Sequence, residues 1–342
     1  MTYNEIIKGN CEKHTSVKWW PKFAYHYTDV ENAVGILASG VLYSRVKADA
    51  IGVMKNENAS RQVINMTESQ TTSYVRFYFR PLTPTQYHNE GFKHCKIRYC
   101  GDDNANIPVP VFLLFDLDRI LSLEDTSFSA LSQAGHRAPI HRGVEAFTGL
   151  PFDDIYSSGP ASKTVMQHRH AEILFPMQFP ITGIIRCIIC RNECERTTLL
   201  NLLRMQKRYA YEKYKDIIKV GIDNVFYRNG LFIEEVIFHE DSISFAFSDA
   251  PGKLEYVDRV RRNGNIGDIG SVKCRFLFEW LGSKELVFSG IREIDIPYLN
   301  AKSIVFNQMP TVEKAKLLRV TVSIEGKMVC VFEQALSPYE LI

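Results

Sequence analysis

The run Gln167-His168-Arg169-His170-Ala171-Glu172-Ile173-Leu174-Phe175-Pro176 sets one carboxylate among basic residues at the head of an apolar stretch. Residues 181–190 follow as Ile-Thr-Gly-Ile-Ile-Arg-Cys-Ile-Ile-Cys, and this β-branched content predicts a buried strand. Glu172 is therefore expected at the mouth of a rigid strand. Taken alone it would be a surface glutamate on an edge strand. Its meaning depends on the residues upstream.

Upstream, residues 1–24 form a polar, helical lead-in that Pro21 stops after Trp19-Trp20. Phe23-Ala24-Tyr25-His26-Tyr27 predicts a short strand. Asp29 is a suitable N-cap for the helix over residues 30–39, and Gly40 is the glycine that ends it. Val30, Val34 and Leu37 share one face of that helix. Residues 44–72 are polar and aperiodic, which predicts a long lid or binding loop. Residues 74–79 form a strand, broken by Arg80-Pro81-Leu82-Thr83-Pro84. Another strand spans residues 107–116, a helical turn spans 117–121, and 122–165 are poor in regular pattern.

Downstream, residues 192–219 predict one helix or two, capped by Thr197 or Thr198. Arg204, Lys207, Arg208, Lys213, Lys215 and Lys219 make one side basic, as a solvated face or a phosphate-contacting flank. Beyond residue 220, runs at 232–238, 242–247, 272–280 and 303–306 predict strands at sandwich-like spacing. A hairpin over 317–332 turns at Glu325-Gly326. Residues 220–342 are thus expected to form a small β-sandwich, immunoglobulin-like in type, without a catalytic constellation and suited to recognition.

With 342 residues, two domains are the default. They are drawn as 1–203, a basic helical connector over 204–219, and 220–342. Apolar residues make up 45% and charged residues 23%, an ordinary globular balance, and the net charge of +2 does not call for a polyanion. The start lacks a signal-peptide pattern and no apolar run spans a bilayer, so a soluble cytoplasmic protein with reduced thiols and no membrane partner is expected. Cys187, Cys190 and Cys194 fall partly within a strand pattern, which places them as small buried hydrophobes and no metal is expected. There is no Gly-x-Gly-x-x-Gly between a strand and a helix and no Walker loop, which speaks against a dehydrogenase or an NTPase.

Four segments in order resemble the DarT family of NAD-dependent nucleic-acid ADP-ribosyltransferases, toxins paired with a macrodomain antitoxin. The family's His-x-Thr, Asn and Ile-Leu-x-x-Gly-Leu pattern is matched by His26, Thr28, Asn32 and Ile36-Leu37-Ala38-Ser39-Gly40-Val41-Leu42. Its Tyr-Val-Pro-Phe-Tyr-Phe-x-Pro strand is matched by Tyr74-Val75-Arg76-Phe77-Tyr78-Phe79-Arg80-Pro81, with Arg76 in place of the proline. Its Arg-x-Ala-Glu-x-Leu strand is matched by Arg169-His170-Ala171-Glu172-Ile173-Leu174. Thr85 stands where the family has methionine, and its Thr-Asp-x-His segment is degraded to Gln133-Ala134-Gly135-His136. The resemblance covers about residues 20–200.

The resemblance implies an α+β ADP-ribosyltransferase-like fold of two packed, mainly antiparallel sheets with NAD in the cleft, followed here by the all-β unit. Cleaving the nicotinamide–ribose bond builds positive charge on the ribose. A carboxylate facing that carbon stabilises the charge and takes the proton of an attacking base nitrogen. Glu172 is the candidate for both tasks. Arg61 sits where the family carries its essential arginine, and a guanidinium suits a pyrophosphate. His26, Thr28 and Asn32 are implied at the riboses and Tyr78 against the nicotinamide, while Arg80, His136 and Arg169 are candidates for contacting nucleic acid. The implied acceptor is a thymidine in single-stranded DNA, with RNA nearly as well suited, because unstacked bases need no flipping. A cognate antitoxin would be the partner. The rival functions are a catalytically inactive or NAD-sensing module and a protein-modifying transferase.

Overall fold

The computed structural model describes residues 1–57, 69–103, 106–134, 138–222, 225–239, 241–264, 266–283 and 285–336. The chain enters through helix α1 (Tyr3–Lys13), where Thr2 and Glu5 form a capping box. The helix ends at Lys13, and two 3-10 turns, Thr15–Val17 and Trp20–Lys22, carry the chain past Pro21. Strand β1 (Phe23–Asp29) runs into helix α2 (Val30–Ser39). Asp29 caps α2 by accepting from the Glu31 N–H at 3.0 Å, and Gly40 ends it at φ 76°, both as the sequence predicts. Val30, Val34 and Leu37 are buried together with Ala33.

After β2 (Val41–Tyr43), Ser44 caps a short helix α3 (Arg45–Ala50), and a helical turn occupies Ser69–Thr72. The polar stretch expected as an aperiodic loop therefore carries local helix at both ends. Strands β3 (Tyr74–Tyr78), β4 (Pro110–Asp116), β5 (Ser127–Ser129), β6 (Glu172–Pro176), β7 (Gln178–Pro180), β8 (Ile185–Cys190) and β9 (Ile218–Lys219) complete the first unit. Residues 122–165 hold β5 and short helices at Gly143–Thr148, Phe152–Ile155 and, starting within that span, Lys163–His168, more structure than their composition suggests.

One seven-stranded sheet runs in the order β5-β6-β3-β1-β4-β8-β9, and β2 pairs with β7 as a separate ribbon. Where the resemblance implied two packed sheets, the first unit has one large sheet and a two-stranded ribbon. β1 pairs with β4 along its whole length, from Phe23↔Asp116 to Asp29↔Pro110. On its other side β1 meets β3 only at Tyr25↔Tyr78. Beyond that step the two strands part, and the opening between them positions the site.

Helices α4 (Glu193–Gln206) and α5 (Arg208–Tyr214) follow β8. The cap of α4 is Asn192, which accepts from the Glu195 N–H at 2.9 Å, not Thr197 or Thr198. The helix starts earlier than expected because β8 ends at Cys190, and Thr198 sits inside it with its hydroxyl donating to the Cys194 carbonyl. Lys207, in extended backbone, separates the two helices. The stretch expected as a connector ends in β9, which pairs with β8 in the first sheet.

Residues 225–232 are tied to the first unit. Phe92 and Leu231 exchange backbone hydrogen bonds of 3.0 and 2.9 Å. A Cβ on Gly230 would lie 2.6 Å from the Gly91 carbonyl carbon, so only glycine permits that approach. Beyond this come β10 (Ile233–Phe238), β11 (Ile243–Phe247), helix α6 (Pro251–Asn263), β12 (Ser271–Leu281), β13 (Leu286–Pro297), β14 (Ile304–Phe306), β15 (Leu317–Ile324) and β16 (Lys327–Ala335). They form antiparallel sheets in the orders β10-β11-β14 and β13-β12-β15-β16. Phe245 and Phe306 of the first meet Phe276 of the second at centroid distances of 5.0 and 4.9 Å. The Glu325-Gly326 turn is as predicted, whereas α6 and β13 have no counterpart in the sequence reading. Among the described residues no helix is long and apolar enough to cross a membrane.

Candidate active site

A cavity of about 990 Å³ opens where β1 and β3 part. Its walls carry His26 and Thr28 from β1, Asn32 from α2, Arg45 from α3, residues 52–57, and Tyr74 and Arg76 from β3. This volume suits a dinucleotide-sized ligand.

His26 is placed on this wall by the alternation of β1. Its Nδ1 lies 3.1 Å from the Arg76 carbonyl, so that nitrogen carries the proton and Nε2 is left as an acceptor. Burial lowers its pKa from 6.5 to about 4, against the opposing pull of the Arg76 carbonyl. The imidazole is therefore neutral at physiological pH. The unfolded chain takes up this proton near pH 6.5 and the folded chain only near pH 4, so stability falls as pH drops through that window. His26→Asn is expected to flatten this decline in the melting temperature between pH 6.5 and 4. A slope equal to that of the parent would remove His26 from the account.

Asn32 has a more specific task than the sequence suggests. Its Oδ1 accepts from the Lys55 and Asn56 N–H groups at 2.8 and 3.2 Å, and its Nδ2 donates to the Asn56 carbonyl at 2.7 Å. The amide thus holds the cavity wall. Arg45 pairs with Glu57 at 2.5 Å and ties α3 to the same wall.

Glu172 opens β6, opposite Tyr78 on β3, and is fully buried. Its Oε2 accepts from Arg76 Nε at 3.0 Å and from the Gln133 N–H at 3.1 Å. Its Oε1 accepts from Ser132 Oγ at 3.1 Å and from Arg76 Nη2. The carboxylate is therefore neither in the apolar core nor on the outer surface. It faces β3 and, among the described residues, does not line the cavity; Arg76, which does, pairs with it. Arg76, Ser132 and Gln133 are the partners that sequence reading did not assign. Alternation alone signals Arg76, which lies two residues before Tyr78 on the same strand face.

Tyr78 does not line the cavity among the described residues. It lies beside Glu172, and burial followed by the Glu172 charge raises its hydroxyl pKa. A nicotinamide-stacking role finds no support in this position. Arg80 is also corrected. It is 3% exposed, donates to the carbonyls of Pro81, Ile155 and Ser157 at 2.9, 2.8 and 2.6 Å, and lies 5.0 Å over the Trp20 ring. Burial, reinforced by Arg169, lowers its pKa to about 10. Such a side chain braces the 155–157 turn and presents no charge to a phosphate. Arg169 donates to Ser157 Oγ and the Gly159 carbonyl, bracing the adjoining loop. Arg61 and His136 lie outside the described residues.

Among the described residues no group of three or more His, Cys, Asp or Glu side chains is arranged to hold a metal. Cys190, Cys194, Cys274 and Cys330 are buried and Cys187 half-buried, whereas Cys95 and Cys100 are exposed.

The sequence model of one family, described as "ssDNA thymidine ADP-ribosyltransferase, DarT", matches residues 25–222. The chain belongs to the DarT family. It is an ADP-ribosyltransferase using NAD. No curated protein matches it. Among solved structures, Thermus sp. 2.9 DarT in complex with carba-NAD+ is 18% identical with a TM-score of 0.47, covering 60% of this chain and 98% of that one. The same protein in complex with ADP-ribosylated ssDNA is 18% identical with a TM-score of 0.46, covering 54% and 88%. Thermosipho africanus DarTG in complex with ADP-ribose is 13% identical with a TM-score of 0.46, covering 64% and 53%. The DarT match ends at residue 222, next to β9, and leaves the C-terminal sheets outside it.

Proposed function

We propose that this DarT-family chain transfers ADP-ribose from NAD to a base of single-stranded nucleic acid, thymidine in DNA first and RNA second. The observation that carries the reading is Glu172 on β6, inside the family's Arg-x-Ala-Glu-x-Leu pattern and joined through Arg76 to the wall of the His26 cavity. In this reading NAD lies between β1 and the 52–57 wall, with His26 and Thr28 at a ribose. Arg61 serves the pyrophosphate, and Glu172 stabilises the ribose cation and takes the proton of the attacking base. His136 and Arg169 contact the nucleic acid in this reading. The catalytic unit extends through β9, and the two C-terminal sheets form a recognition unit of sandwich type. The biological setting is a cytoplasmic toxin–antitoxin or phage-defence pair in which a cognate antitoxin restrains the activity.

A second reading has one observation in its favour. Arg76, Ser132 and Gln133 together supply four donors to the two Glu172 oxygens, which fits an NAD-sensing module held inactive. Incubation with labelled NAD and short DNA and RNA oligomers separates the readings. Label on thymidine-containing DNA is the expected result. Label on protein alone would sink the nucleic-acid reading, and NAD binding without any transfer would favour the sensing module.

A further inference from the structure

The turn between β15 and β16 comes from the far end of the chain yet reaches the cavity wall. Glu325 and Gly326 both adopt left-handed backbone, at φ 49° and 78°, and deliver Lys327 as the first residue of β16. Lys327 Nζ lies 3.5 Å from Asn56 Oδ1 and 3.4 Å from the Asn106 carbonyl. Asn56 lines the cavity. Its backbone is bracketed by the Asn32 amide, and its side chain helps hold down the pKa of the buried Asp29 carboxyl at the head of α2, which burial raises to about 7. The Lys55–Asn56 wall is thus held from two directions, by Asn32 of α2 on one side and by the C-terminal hairpin on the other. The half-buried ammonium sits among Asp29, Asp102 and Asp103, with Arg98 opposing them.

A cavity wall made of loop binds a ligand at the cost of being ordered, and each anchor already in place reduces that cost. Lys327 brings a positive charge to two neutral oxygens of this wall, at 3.4 and 3.5 Å. We propose that Lys327 is a positioning residue for the cavity, through which the β15–β16 hairpin clasps the Asn56 wall and makes NAD affinity depend on the C-terminal unit. This rests on the reading of the cavity as the NAD site.

The test uses the full chain carrying Lys327→Met, which keeps the aliphatic stem and removes the charge. KM and Kd for NAD are expected to rise roughly five- to tenfold with kcat within about twofold, the pattern of lost ground-state binding. Lys327→Arg is expected to recover most of the affinity. Gln334→Ala, at the far end of β16, is expected to change neither. In a double-mutant cycle, Asn56→Ala and Lys327→Met are expected to be non-additive, since they remove one contact. Additive effects, an unchanged Kd in Lys327→Met, or a fall confined to kcat would each overturn the inference while leaving the cavity reading intact. Failure of the unmodified chain to bind NAD by calorimetry would overturn the cavity reading, and the inference with it.

Discussion

Glu172→Gln is expected to slow ADP-ribose transfer by at least about 10³-fold while leaving the protein folded. In the proposed reading two losses combine in one substitution: the negative charge that stabilises the ribose cation and the base that accepts the proton. The carboxylate holds four donors, Arg76 Nη2 and Ser132 Oγ on Oε1, and Arg76 Nε and the Gln133 N–H on Oε2. A ribose hydroxyl reaching Glu172 must displace one of them. Ser132 is the least costly to displace, because its hydroxyl is the one neutral side-chain donor of the set. Glutamine fills the same space but turns an NH2 toward donors, a mismatch of about 1–2 kcal/mol. The melting temperature should therefore fall by only a few degrees. Single-turnover transfer from labelled NAD to a thymidine-containing oligomer measures the rate. Activity within about tenfold of the parent would remove Glu172 from the chemistry, whatever its place in the family pattern.

The largest effect on stability is expected at Arg191. Its side chain is fully buried between Glu195, to which Nε donates at 3.2 Å, and Glu90, whose Oε1 is 3.6 Å from Nη1. It also donates to the Pro108 carbonyl at 3.1 Å and lies 3.6 Å over the Phe232 ring. Glu90 in turn accepts from the Tyr227 and Arg228 N–H groups at 2.8 and 2.7 Å, so this cluster fastens the chain at the exit of the first unit. Arg191→Met leaves two buried carboxylates without their cation, which costs about 3–5 kcal/mol and lowers the melting temperature by roughly 10 °C. Burial already raises the Glu195 pKa to about 7, with Arg191 pulling the other way. Without Arg191 the folded state holds that proton more firmly still, whereas the unfolded chain releases it in the ordinary carboxylate range. Stability of the variant is then lost as pH rises, and its deficit should be larger at pH 8 than at pH 5. An equal deficit at both values would show that packing over Phe232, not charge, is what Arg191 contributes.

Much of the first unit was legible because its signals are local. Asp29 and Gly40 bracket α2 as its cap and its terminating glycine, and in the C-terminal unit the β15–β16 turn is marked by Gly326, which accepts positive φ. Missed elements lack such signals. Strand β13 exposes Leu286, Phe288 and Ile291 and contains Gly290, so it shows neither alternation nor a buried run. Helix α6 begins with Pro251-Gly252 directly after a strand-like stretch, and so resembles a break. The cap of α4 was misplaced because Asn192 and two threonines offer the same chemistry, and only the end of β8 chooses among them.

For the site, the sequence by itself determined the residue types: a glutamate in a strand-opening motif, a histidine and a threonine alternating on β1, and an asparagine one helical turn beyond. Tertiary structure decided what each of them does. His26 and Glu172 are 146 positions apart, and only the parting of β1 from β3 brings a cavity to one and a neighbouring strand to the other. Arg80 and Arg76 are equally charged in the sequence. One is turned inward onto carbonyls and the other clamps Glu172, because burial and partner geometry are properties of the packed sheet. Lys327 is the furthest case: no local pattern ties it to Asn56, and a hairpin from another sheet has to fold against the first unit before the contact exists.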